Sequence, residues 1–142
     1  MELKLLTQTI VSAAQTLGYK AVVGNSPVSM PPADYPAIVV TPPLLRDRTG
    51  RECGILILRT TITLVRLAEQ VTPPADDTTA ESEIALRQTL YNDALAIIDA
   101  VEALTAVCEV RCLSSEASRG RLTPYGDTSL AITMDVKLKF SL

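Results

Sequence analysis

The sequence predicts an α+β domain: a four-stranded, mainly antiparallel sheet with two helices packed on one face, in the order α-β-β-α-β-β. Three observations lead there. Leu130, Ile132, Met134, Val136, Leu138 and Phe140 alternate strictly with Ala131, Thr133, Asp135, Lys137 and Lys139, the period of a strand with one buried face. Two stretches, 3–17 and 80–104, space their apolar residues as helices do. Between them, a long run rich in β-branched residues follows a polar turn.

Taken in order, Leu3, Leu6, Ile10, Ala13, Ala14 and Leu17 form the apolar stripe of the first helix, which Gly18 is suited to end. Lys20–Val23 can form a short extended segment. The stretch from Asn25 to Pro36 holds Pro27, Pro31, Pro32 and Pro36, so it reads as a connecting loop. Ala37–Val40 is a short strand closed by Pro42 and Pro43. Arg46–Arg51 reads as a hairpin turn, polar and containing Gly50, before a strand over about 52–67. The first half of that strand is apolar on both faces, so both faces need cover, from helices on one side and a neighbouring copy on the other.

Residues 71–79 read as a linker. Thr78 with Glu81 fits a capping box opening the second helix, in which Leu90, Ala94, Ile97, Ile98, Val101 and Leu104 form a wide stripe. Cys108, Val110 and Cys112 alternate with Glu109 and Arg111, so 107–113 reads as a half-buried strand, and 114–127 as a loop.

A length of 142 residues suits one domain, 1–142, with a core that needs no disulfide or metal. With one Phe, four Tyr and no Trp, that core is expected to be aliphatic. The net charge of −3 offers no overall basic excess for nucleic acid, and sequence-specific nucleic-acid binding is not expected. No run of about 18 apolar residues occurs, so no membrane span is expected. The start carries no stretch resembling a secretory signal. Three cysteines, odd in number, read as thiols in a reducing compartment.

The chain has no histidine, which removes the commonest general acid–base group and a frequent metal ligand. Asp76-Asp77 precedes a helix, where acidic side chains oppose the positive end of the dipole. Cys108 and Cys112, four apart on a strand, lie roughly 13 Å from each other, too far for a disulfide or a shared zinc, and read as buried apolar thiols. Nothing near Cys53 marks it as an activated nucleophile. The glycines form neither a P-loop nor a dinucleotide fingerprint. No enzyme activity, cofactor or metal site is therefore expected. The rival reading of an enzyme would have to rest on Cys53 or an acidic pair.

The arginines remain. Arg46, Arg48 and Arg51 cluster at the first hairpin, Arg59 and Arg66 punctuate the long strand, and Arg119 and Arg121 lie in the last loop. Solvated turns would account for the loop arginines. Alternatively, these guanidinium groups pair with acidic groups of a neighbouring subunit or touch phosphate. They are the candidate subunit-interface residues.

Several features in order resemble the phage tail terminator and tail-completion (head-tail joining) proteins. They are the N-terminal helix, the loop Pro31-Pro32-Ala33-Asp34-Tyr35-Pro36 entering Ala37–Val40, the strand ending Thr61-Ile62-Thr63-Leu64-Val65, the helix around Ala94–Val101, and the alternating strand Leu130–Phe140. The likeness is one of element order, spans nearly the whole chain and includes no diagnostic motif. It implies a non-enzymatic subunit of a homo-oligomeric ring, with six as the implied number, that caps a phage tail tube. Its partners would be tail-tube and head-tail connector proteins, its place the virion tail, and its site of assembly the bacterial host cytoplasm. The competing reading is a small oligomeric ligand-binding or regulatory domain.

Overall fold

The computed structural model describes residues 2–24, 36–67, 79–119 and 127–141. Its elements are α1 (Glu2–Thr16), β1 (Lys20–Val23), β2 (Ala37–Val40), β3 (Leu44–Thr49), β4 (Cys53–Leu67), α2 (Thr79–Glu102), β5 (Val107–Arg119) and β6 (Asp127–Ser141). Helix α1 ends as its sequence dictates. Gly18 adopts φ of 91°, its N–H bonds to the Gln15 carbonyl, and Tyr19 N–H reaches back to the Ala14 carbonyl. This is a Schellman closure that requires a left-handed residue at Gly18. It turns Tyr19 inward, where it is buried.

The expected four-stranded antiparallel sheet is overturned. The sheet has six strands in the order β1-β2-β4-β6-β5, with β3 also on β4, and it is mixed because β1 runs parallel to β2. The element order is α-β-β-β-β-α-β-β rather than α-β-β-α-β-β. Both extra strands were hard to read for physical reasons. Segment β1 has four residues, and its pairing with β2 depends on register across an intervening loop. All six residues of β3 are exposed, so it lacks the alternation that marks a half-buried strand. Its ladder to β4 holds it instead, over the segment Arg46–Thr49 expected to be turn.

Strands β2 and β3 lie end to end along one side of β4, β2 beside Ile62–Val65 and β3 beside Ile55–Arg59. Between them come Thr41, Pro42 and Pro43. Prolines have no N–H to donate, so the ladder breaks there. Thr41 bridges the gap: its N–H bonds to the Thr61 carbonyl at 2.9 Å, and its carbonyl accepts the buried Thr60 hydroxyl at 2.8 Å. The turn to β4 is tight. Gly50 has φ of 90°, and a Cβ there would lie 2.1 Å from the Cys53 carbonyl oxygen.

Strands β4 and β6 form the spine, paired antiparallel from Cys53↔Ser141 to Leu67↔Asp127. Strand β5 runs to Arg119, past the point where a loop was expected, and its pairing with β6 shifts register after Val107 and again after Cys112. Even-numbered residues of β4 and β6, among them Leu58, Ile62, Leu64, Met134 and Val136, join Leu6, Ile10, Leu90 and Ile97 of the helices in one aliphatic core. Both helices thus lie on one side of the sheet. No described helix is long and apolar enough to cross a membrane. The Asn25–Pro36 loop except its last residue, the Asp76-Asp77 pair, Thr78 of the capping box and Arg121 lie outside the described residues.

Candidate functional site

The alternation that buries even positions of β4 and β6 sends odd positions to the sheet face away from the helices. Strand pairing aligns Arg59 with Asp135, and Asp135 with Arg111 of β5. Arg59 donates from Nε to Asp135 Oδ1 at 2.9 Å and from Nη2 to Oδ2 at 3.3 Å. Arg46, just where the β3 ladder slips register, reaches the same Oδ2 from Nη1 at 3.3 Å. One carboxylate, 7% exposed, therefore serves a row of three guanidinium groups across four strands. The Arg59 hydrogen bond, helped by the charges of Arg59, Arg46 and Arg111, holds the Asp135 carboxyl below its usual range. The same pairing raises Arg59. One rung along, Thr61 and Thr133 share a hydrogen bond at 3.0 Å.

The row leaves positive charge in excess. Residues 44–61, 107–115 and 131–141, which make up this end of the sheet, hold seven basic and four acidic residues, a net +3. The rest of the chain holds six basic and twelve acidic residues, a net −6, and helix α2 alone carries five acidic residues against one basic.

The candidate interface arginines thus fall into distinct settings. Arg46 and Arg59 stand together on the open face, with side chains 54% and 39% exposed. Arg48 lies over the Phe140 ring at 4.5 Å and donates to the Arg51 carbonyl at 2.7 Å, fastening the hairpin. Arg51 is exposed at the turn. Arg66 is drawn inside, where its guanidinium lies over the Tyr19 ring, donates to the Tyr19 hydroxyl at 3.1 Å and meets Asp93 Oδ2 at 3.3 Å. The Tyr19 hydroxyl in turn donates to Asp93 at 2.5 Å, and burial, then this bond, push its pKa well up. Arg119 lies in β5 at the register of Thr128.

Sequence reading singled out Arg59 and Arg66 but not the carboxylates that hold them. Asp135 was visible only as one polar residue of an alternating strand, and Asp93 as one polar residue of a helix. Two cysteines also differ from expectation: Cys108 and Cys112 are exposed rather than buried, on β5 at the edge of the sheet, and Cys53 at the start of β4 is exposed too. Partial burial, with Glu102 nearby, raises the Cys112 thiol, the opposite of activation. Among the described residues no group of three or more Cys, Asp and Glu side chains is arranged to hold a metal ion.

No family model matches this chain, and no curated protein matches it. Among solved structures it is similar to a chain of the virion of a native gene transfer agent particle. The TM-score is 0.53 at 14% identity, over 95% of this chain and 92% of that one. It is also similar to the type 4 fimbrial biogenesis protein PilO from Pseudomonas aeruginosa, with a TM-score of 0.44 at 11% identity, over 99% of this chain and 72% of that one. The first likeness is one of fold and runs nearly the full length of both chains.

Proposed function

We propose that this chain is a non-enzymatic structural subunit of a phage or phage-like virion. More finely, we propose that it forms a homo-oligomeric ring that terminates the tail tube and joins it to the head. The observation that carries the reading is the shared fold with a virion chain along almost the whole of both. The element order that resembles tail terminator proteins supports the finer part. So does the surface. On α2, Ile84, Tyr91 and Leu95 stand exposed at 66%, 50% and 40% along one stripe, the kind of apolar patch that meets another subunit.

Such a subunit acts by shape: two different patches on one copy meet on successive copies, and the assembly closes when the rotation per step allows. Size-exclusion chromatography with light scattering at several concentrations, followed by electron microscopy, tests it. A discrete closed ring, and its capture by purified tail tubes, is the expected result. A chain that remains a monomer at every concentration and binds no tail tube would overturn the reading.

A further inference from the structure

We infer that the open face of the sheet, around the Arg46–Arg59–Asp135–Arg111 row, docks on the exposed side of α2 of the next copy of this chain. The inference rests on the reading of the chain as a self-assembling subunit and adds which surfaces meet.

Two patches, one on the sheet face away from the helices and one on α2, match in kind and differ in sign. The sheet patch combines the surplus guanidinium groups and Lys139 with the exposed Leu44 and half-buried Ile55 and Ile57. On α2, Ile84, Tyr91 and Leu95 are exposed at 66%, 50% and 40%, at spacings of seven and four, which put them on one stripe. That stripe is separate from the core stripe of Leu90, Ala94, Ile97 and Val101. Exposed Asp99 and Glu102 lie in its last turn. Each patch can bury apolar surface while its charge is answered by the other. Like patches would set one basic sheet face against another, or acidic helix against acidic helix, so an isologous pairing is disfavoured. A contact between two different patches propagates head to tail, as a ring requires.

Two doubly substituted full-length chains test this. Lys137→Glu with Lys139→Glu reverses charge on the sheet face while keeping Arg46, Arg59, Arg111 and Asp135. Asp99→Lys with Glu102→Lys reverses the helix. Circular dichroism and melting establish that both fold, and light scattering at low salt reads assembly. Each variant alone is expected to associate at least ~tenfold more weakly than wild type, because each sets like charges together. An equimolar mixture is expected to recover assembly, with the two variants alternating, and added salt to weaken the wild type. If the variants each assemble like wild type, or the mixture is no better than either alone, the docking is overturned while self-assembly stands. A wild-type chain that never assembles at any salt or concentration sinks the self-assembly reading itself, and this inference with it.

Discussion

At the scale of single residues, Asp135 matters most, because its carboxylate balances guanidinium groups from neighbouring strands. Its pKa is lowered mainly by the Arg59 hydrogen bond, so the folded chain holds the proton more weakly than the unfolded chain does. The sign follows: its contribution is complete above the usual carboxyl value of 3.8 and is lost as pH falls through the lowered one. Asp135→Asn keeps the shape but removes the charge, leaving Arg59 and Arg46 without their counter-ion. We expect a loss of about 1 kcal/mol at pH 7, below the usual range for hydrogen bonds to charged groups because both arginines are partly hydrated. Melting curves from pH 7 to pH 3 check it. The wild type should fall towards the variant as the pH drops, and parallel curves would show that the carboxylate contributes nothing by its charge.

Among elements, the sequence showed most where one side chain pattern meets one environment. The closing strand, both helices and the long strand were legible because Leu130–Phe140, Leu6–Ile10–Ala14 and Leu90–Ala94–Ile97 face a single apolar layer. Strand β3 was not, and Lys20–Val23 was legible as extended but not its parallel place beside β2, because backbone ladders rather than side chain burial define both. The arginine row was half legible for the same reason: the residue types are in the sequence, but the register that sets Arg59 against Asp135 is not. Tyr19 shows a link between elements that only packing reveals. Its buried hydroxyl joins the end of α1 to Asp93 of α2 and Arg66 of β4. Tyr19→Phe removes that hydroxyl and should destabilise the chain by about 1–2 kcal/mol, measured by urea unfolding. Because the Tyr19 proton is held more tightly when folded, wild-type stability should be complete below pH 10 and fall as pH rises beyond it. Tyr19→Phe should flatten that alkaline decline. An equal decline in both would assign it to other groups.

For the whole molecule, the sheet is built outward from β4 and β6, and this arrangement sets where the chain opens first. Ile62 and Leu64 of β4 sit between β2 and β6, and Met134 and Val136 of β6 sit between β4 and β5, all four inaccessible to solvent. Strand β3 pairs with β4 and is exposed along its length, while β1 pairs with β2 and supplies only four residues. Opening an edge strand breaks one ladder and uncovers little apolar surface, whereas opening the spine breaks two ladders and exposes the core. Amide hydrogen exchange on dilute protein in high salt, where contacts between copies are screened, should therefore show a gradient. Amides of β3 and β1 should exchange by local opening, orders of magnitude faster than those of Ile62, Leu64, Met134 and Val136, which should require global unfolding. Docking through the sheet face would leave the β4–β6 ladder untouched, so assembly in low salt should not reverse this order. If β3 amides prove as slow as those of β4, the hairpin belongs to the cooperative core rather than to its margin.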